Sequence, residues 1–238
     1  MNAPLYTLTG AGFVALSGIM YYLVYRELKL SSALTPWDEA HRKSVTNRYL
    51  FGIVGWTIFI LAVSSTGFFE DFAAFPPRIM LVLGVPLVAI IFVTFSRSIK
   101  ELLPLIPARN LIRLQVFRVF VELLLWAAFV QNLLPVQMTV EGRNLDILSG
   151  LFAPVVAYFL VNDRTALYIF NFISLGLLIN IVTIAILSLP TPFRVFMNEP
   201  ANVLVARFPF ILLPGMLVPL AYGLSFLSLR QLGLKSKD

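Results

Sequence analysis

The sequence predicts an all-α, polytopic integral membrane protein, a seven-transmembrane-helix bundle with its N-terminus outside and its C-terminus in the cytoplasm. The 238 residues are 59% hydrophobic and only 13% charged, whereas soluble domains are about 45–50% apolar and about 25% charged. The apolar residues fall into long segments, and lysine and arginine are concentrated in alternate loops. These observations exclude a disordered chain and an ordinary soluble domain.

Each apolar segment is long enough to cross the ~30 Å hydrocarbon core of a bilayer as a helix of about 20 residues. Seven segments qualify, and they form one transmembrane domain over residues 1–238. No basic stretch with a small-residue cleavage site precedes the first segment, so we expect it to remain as a helix. The predicted spans are residues 5–25, 49–69, 79–96, 112–134, 145–161, 165–189 and 208–229.

Lysine and arginine set the predicted orientation, because cytoplasmic loops are enriched in them. Of the 18 basic residues, the outer loops hold only Arg78, Arg143, Arg194 and Arg207. Arg118 lies within a span, and the others lie in the cytoplasmic loops and in a C-terminal tail that includes Lys235 and Lys237. This bias predicts a bacterial inner-membrane protein with its N-terminus outside.

The charged and metal-binding residues exclude several functions. The net charge is +6, but the basic residues lie in small groups between apolar segments, so we expect no nucleic-acid partner. The chain has no cysteine and a single histidine, His41. It therefore lacks the residues for thiol chemistry, iron–sulfur clusters and zinc sites with two histidines, and we predict no cofactor and no bound metal.

Local signals predict structure in four loop regions. The T-P-W-D sequence at 35–38 is typical of a capped helix start and predicts a short interfacial helix over 36–46. A second short helix is expected at 98–103. The N-E-P sequence at 198–200 predicts a helix that continues to about residue 206, and V-E-G-R-N at 140–144 predicts a tight turn.

Gln115, Arg118 and Glu122 lie in the fourth predicted span with spacings of three and four residues. This spacing places them on one face of a helix, and we expect Arg118 and Glu122 to form an ion pair. Ionisable residues inside a span mark functional sites by default. With the inner boundary near Arg113, Glu122 is roughly 13 Å deep and Arg118 about 7–8 Å deep. An ion pair that only fixes helix packing is the alternative interpretation.

Three further polar residues complete the candidate site. Asp146 lies at the outer start of the fifth span, where it either compensates the helix dipole or forms the outer mouth of a pathway. Asn171 and Asn180 lie in the sixth span, and their spacing directs them to opposite faces of that helix. Such asparagines are more typical of helix–helix contacts than of ligand binding.

Helix-breaking residues interrupt three of the predicted spans. They are Pro86 in the third span, Gly150 and Pro154 in the fifth, and Pro209, Pro214 and Pro219 in the seventh. Transporters use broken helices to build binding sites near the bilayer midplane. The alternative is that these residues are ordinary members of membrane helices, in which glycine and proline are common.

These features favour a small inner-membrane protein that binds or translocates a small ligand or an ion through a polar site in the bundle. The candidate residues are Gln115, Arg118, Glu122, Asp146, Asn171 and Asn180. Membrane lipids surround it, and its cytoplasmic loops offer a surface for a protein partner. An accessory or scaffold subunit is the main alternative. A lipid-modifying intramembrane enzyme is a weaker one, because no nucleophile adjoins a base.

Overall fold

A computed structural model describes residues 3–234, apart from the side chain of Ala3, so Lys235 and Lys237 lie outside the described residues. Within this range the chain is all helical and contains no β-strand. Its α-helices are α1 Ala3–Ala33, α2 Glu39–Ser64, α3 Ile79–Phe95, α4 Arg97–Leu102, α5 Ala108–Leu114, α6 Phe117–Phe129, α7 Ile147–Phe159, α8 Arg164–Leu187 and α9 Val218–Leu234. A π-helical turn, Leu213–Leu217, leads into α9.

Four helices are long and apolar enough to cross a membrane, which makes this a multi-pass membrane protein. They are Pro4–Ala33, Glu39–Ser64, Arg164–Leu187 and Leu213–Leu234. A fifth is formed if α3 and Arg97–Leu105, which are bent by 57°, count as one span. Large apolar side chains such as Phe51, Phe92 and Phe172 are exposed on these helices, where lipid can cover them.

The fourth and fifth predicted spans do not form long helices. Residues 112–134 are divided between the end of α5, a turn at Gln115 and α6. Residues 145–161 contain α7, which has 13 residues. At 1.5 Å per residue α7 is about 20 Å long, which is less than the ~30 Å core of a bilayer. By length and composition, four helices, or five with the bent pair, could therefore cross a membrane.

The loop between the first two spans is shorter than predicted, because both helices extend into it. α2 begins after Asp38, whose side chain accepts a hydrogen bond of 2.7 Å from the N–H of His41. The prediction of a separate helix over 36–46 with Thr35 as its cap is wrong. Asp38 is the N-cap, and the helix that it starts runs without a break into the second span.

The other local predictions had mixed outcomes. The helix expected at 98–103 is confirmed as α4. The helix expected from residue 198 to about 206 is reduced to a 3₁₀ turn, Leu204–Ala206. The side-chain amide of Asn198 donates instead to Gln137 at 2.7 Å.

α9 is the central helix of the bundle. It packs against α3, α5 and α8, and 67% of its most apolar stretch is buried, compared with 17% for α2. Gln115 donates a hydrogen bond of 3.0 Å to Ser225 of α9. Asn171 of α8 donates one of 2.9 Å to Ser228. These bonds fix the position of α9 against its neighbours.

The predicted helix breaks are largely absent. α3 contains Pro86 and α7 contains Pro154 without interruption. Of the three spans with predicted breaks, the seventh contains an irregular turn, the π turn Leu213–Leu217. There Pro219 has no N–H to donate to the carbonyl of Gly215 four residues earlier.

Side chains from α1 and α2 satisfy two carbonyls of this π turn. Trp56 Nε1 donates to the carbonyl of Gly215 at 3.0 Å, and the hydroxyl of Tyr21 donates to that of Met216 at 3.0 Å. Carbonyls freed by proline need such partners inside a membrane. The partners of these two carbonyls are fixed side chains, so this break serves helix packing.

After α6 the chain turns back and runs alongside that helix. Asn132 adopts a left-handed conformation with φ 55°, which asparagine tolerates better than most residues. Residues 130–146, which we call the returning segment, then reach back to Glu122. Gly142 forms the predicted tight turn within it, where a Cβ atom would lie 2.3 Å from the carbonyl oxygen of Val136.

Candidate functional site

Arg118 of α6 joins three helices. It is only 2% exposed, and its Nε lies 3.3 Å from Oδ2 of Asp146, directly before α7. Its Nη1 donates a hydrogen bond to the hydroxyl of Ser174 on α8. A buried charge needs an ion pair and hydrogen bonds to be tolerated, and these two contacts supply both.

Glu122 bonds to the returning segment rather than to Arg118. Its Oε1 accepts a hydrogen bond of 2.5 Å from the N–H of Val140, and its Oε2 accepts one of 2.5 Å from the side-chain amide of Asn144. The predicted Arg118–Glu122 ion pair is therefore wrong. The returning segment brings two donors to the glutamate and places Asp146 beside the arginine.

Asp146 lies closer to Arg118 than the predicted spans place it. The sequence puts it at the outer end of one span and Arg118 near the inner end of another, which a ~30 Å core would keep far apart. The returning segment removes this separation, because it runs back along α6 before α7 begins. The side chain of Asp146 does not cap α7, so its main interaction is with Arg118.

Gly150 allows α6 and α7 to approach each other beside this ion pair. A Cβ atom at Gly150 would lie 2.8 Å from the backbone nitrogen of Val119 and 3.3 Å from Cβ of Arg118. Small residues at such positions let membrane helices pack closely. Gly150 is therefore a packing residue and not the helix break that the sequence predicted.

The other three predicted site residues do not reach this cluster. Gln115 is fully buried but faces α9. Asn171 also faces α9, whereas Asn180 is exposed and donates to the carbonyl of Arg143 at 3.1 Å. The prediction that the two asparagines face different sides of α8 is confirmed.

A cavity lies against the Arg118–Asp146 pair. Its empty volume is about 770 Å³, including the space at its mouth. Apolar side chains of α3, α8 and the π turn, such as Leu83, Val182 and Leu213, form most of its walls. Its polar lining consists of Arg118, Glu122, Asn144, Asp146 and Asn202. We call these five residues the polar wall.

The returning segment and the 190–207 loop both contribute to the cavity and are bonded to each other. Gln137 of the returning segment accepts a hydrogen bond of 2.7 Å from Asn198 and donates one of 2.9 Å to Ser188. Asn202 donates to a backbone carbonyl of α8 at 3.0 Å. Its Oδ1 is buried without a hydrogen-bond partner among the described residues.

Arg194 holds the 190–207 loop in one shape. Its guanidinium donates to the carbonyls of Phe196 and Asn198 at 2.8 and 2.7 Å, and to the carboxylate of Glu199 at 3.0 Å. This hydrogen bond keeps the pKa of Glu199 below its ordinary value. The carboxylate therefore stays ionised at neutral pH, and the loop keeps its position.

The polar wall is suited to binding. Its ion pair and hydrogen-bonding groups can orient the polar part of a ligand, while the apolar walls bury the rest. Within the part of the chain that the structure describes, no group of three or more His, Cys, Asp and Glu side chains is placed to hold a metal ion.

The chain matches one known protein family. Residues 76–233 match the family described as a domain of unknown function, DUF8737. The chain belongs to this family. No curated protein and no solved structure matches it.

The DUF8737 region contains the whole candidate site. It begins shortly before α3 and ends within α9, so every residue that lines the cavity lies inside it, whereas α1 and α2 lie outside. Within this region, sequence reasoning missed Asn144 and Asn202 as site residues. Asn144 directly precedes the Leu145-Asp146 pair in a turn between apolar segments, and this proximity to a candidate acid was a usable signal.

Proposed function

We propose that this protein binds or translocates a small ligand or an ion through the cavity beside Arg118 and Asp146. The observation that carries the proposal is the polar wall, because one arginine, two carboxyl groups and two asparagines line a cavity whose other walls are apolar. Ionisable residues inside membrane bundles are costly and mark substrate or ion pathways. Ligand sites typically combine apolar walls with a few polar groups in this way.

We also propose that the site lies in a seven-span bundle of the bacterial inner membrane, with the N-terminus outside and the C-terminus inside. The distribution of lysine and arginine supports this orientation. α7 is short, but the returning segment can complete its crossing. Irregular backbone is tolerated at membrane depth where protein buries it or where it lines a cavity. Met138 and Asn144 of this segment are buried and line the cavity.

Single cysteines test this topology, because the chain has none of its own. Phe193 is 59% exposed in the 190–207 loop, and the side chain of Lys43 near the start of α2 is 72% exposed. In whole cells, we expect a membrane-impermeant maleimide to label Phe193→Cys but not Lys43→Cys. Labelling of Lys43→Cys before the cells are opened would refute the orientation.

Ligand binding is tested by filling the cavity. Leu83 of α3 lines it, whereas Phe92 of the same helix is 73% exposed on the outside. Wild type, Leu83→Trp and the control Phe92→Trp are released gently from native-lipid particles for mass spectrometry. We expect a reproducible bound small molecule in the wild type and in Phe92→Trp, and its loss in Leu83→Trp.

Two results would overturn the proposal. One is a small molecule that stays bound at the same occupancy in Leu83→Trp, because it would then lie outside the cavity. The other is a wild-type protein without any bound small molecule and without ion flux in proteoliposomes. Thermal unfolding of each variant checks that Leu83→Trp is folded before its ligand occupancy is compared with that of the wild type.

An accessory or scaffold subunit is the second candidate function. It is favoured by the contacts of Arg118 with Asp146 and Ser174, which connect α6, α7 and α8 as a packing device would. In that case the same mass spectrum shows a stoichiometric protein partner. The occupancy of that partner is then equal in Leu83→Trp and Phe92→Trp.

A further inference from the structure

We propose that the ligand of this cavity is an amphiphile with an alkyl chain and a protonated amine head, taken from the bilayer between α3 and α8. This inference rests on the proposed function and names its ligand class. The apolar walls accept the chain, and the polar wall accepts the head.

The apolar part of the cavity lies between two helices that leave room for sideways entry. α3 and α8 each pack on α9 but make little contact with each other. Leu83 on α3 and Val182 on α8 both line the cavity and are only partly buried. An alkyl chain from the bilayer can therefore reach the cavity between these helices and exchange one apolar environment for another.

Two of the three open positions of the polar wall are hydrogen-bond acceptors, and the third is Nε of Arg118, which faces Asp146 at 3.3 Å without a hydrogen bond. Asn202 is 0% exposed and lines the cavity, and its Oδ1 has no partner in residues 3–234. Oδ1 of Asp146 is also buried without a hydrogen bond. Both oxygens of Glu122 already accept hydrogen bonds, and Arg118 is directed to Asp146 and Ser174. Because buried acceptors without donors are costly, the site favours a head that donates.

Charge distinguishes an amine from other donors. The polar wall contains one guanidinium, on Arg118, and two carboxyl groups, on Asp146 and Glu122. A protonated primary amine places a positive charge beside these carboxyl groups, supplies three N–H donors and has no acceptor of its own. A carboxylate or phosphate head would add negative charge and supply no donor, so it fits neither feature.

A comparison of head groups on one chain tests the proposal without any change to the site. Protein in phosphatidylcholine nanodiscs is equilibrated with dodecylamine, dodecanol or dodecanoate, and bound amphiphile is counted by native mass spectrometry. The Leu83→Trp variant gives the background from simple partitioning. We expect dodecylamine to bind at least roughly tenfold more tightly than dodecanoate, because it gains charge-assisted hydrogen bonds. Equal binding, or tighter binding of dodecanoate or dodecanol, would overturn the amine assignment.

A matched pair of asparagine variants tests the position of the head. Asn202→Ala removes the open acceptor, and we expect dodecylamine to bind about tenfold more weakly. Asn180 is exposed on α8, and Asn180→Ala should leave binding unchanged. Thermal unfolding shows whether Asn202→Ala is folded. An equal loss of dodecylamine binding in both variants would place the head elsewhere.

If Leu83→Trp keeps the native ligand, the proposed function fails. If it excludes every amphiphile but the wild type prefers dodecanoate, only the ligand class fails.

Discussion

Breaking the Arg118–Asp146 ion pair from either side should destabilise the protein, and replacing both residues should restore most of the loss. The two side chains are 1% and 13% exposed. Removing one partner of a buried pair costs about 3–5 kcal/mol, because the other charge remains buried and unpaired. Replacing both with apolar residues of similar volume is close to neutral.

The contacts of each partner rank the two single substitutions. In Arg118→Met, Asp146 loses its cation, and its Oδ1 already lacks a hydrogen bond. We expect a loss of about 4–5 kcal/mol in the free energy of unfolding. In Asp146→Leu, Arg118 keeps Ser174 as an acceptor, so we expect about 3 kcal/mol. The double substitution should lie within about 1 kcal/mol of wild type, which gives a coupling energy of several kcal/mol.

Equilibrium unfolding by SDS in mixed micelles, followed by far-UV circular dichroism, measures these free energies. Arg143→Met is the control, because this arginine is exposed and lies over the ring of Phe196 at 5.4 Å. Its effect should stay within about 0.5 kcal/mol. If the losses of the two single variants simply add in the double variant, the residues do not act as a pair and the reasoning is refuted.

Three further substitutions are read by the same unfolding measurement. Trp56→Phe leaves a carbonyl of the π turn without its donor and should lower the free energy of unfolding by about 0.6–1.7 kcal/mol. The control Trp126→Phe loses only an exposed hydrogen bond to a carboxylate and should cost less than about 0.5 kcal/mol. Equal losses of stability in the two variants would contradict the role of Trp56 at the π turn. Gly150→Ala forces α6 and α7 apart and should cost about 1–3 kcal/mol of stability. In the control Gly176→Ala, no atom lies within 4 Å of the new Cβ, so this change should be neutral or stabilising by up to about 1 kcal/mol. A Gly150→Ala variant as stable as the wild type would show that the helices are not in tight contact there. Glu122→Gln replaces one acceptor with a donor that faces a donor and should cost about 1–3 kcal/mol; an unchanged midpoint would mean that Glu122 does not hold the returning segment.

The sequence was sufficient for features that depend on local composition. Apolar length predicted a membrane protein and located helices α1, α2, α3, α8 and α9, because burial of the backbone in lipid requires long apolar helices. The short helix α4 and the tight turn at Gly142 were also predicted from their local sequence. The expected separation of Arg118 and Asp146 was wrong, because it assumed that each span is one straight helix.

Three of the five residues of the polar wall were among the predicted candidates, but the contacts between them were not predicted. Arg118, Glu122 and Asp146 stood out because charged residues are rare in apolar segments. Their partners depend on the returning segment, which contains apolar residues and gives no hydropathy signal that separates it from a helix. Asn202 joins the site from a loop that is distant in sequence, and no local pattern predicts such a contact.

α9 is made after every other described helix, yet it is the helix on which α3, α5 and α8 pack. During synthesis, the faces of these helices that contact α9 in the final structure therefore lack these contacts until α9 has been made. Soluble multidomain chains commonly fold their N-terminal part first. Here the contacts with α9, including the hydrogen bonds from Tyr21 and Trp56 to the π turn, can form only after Leu213–Leu234 has been made. Ribosome-bound chains that stop before this segment should therefore be sensitive to membrane proteases.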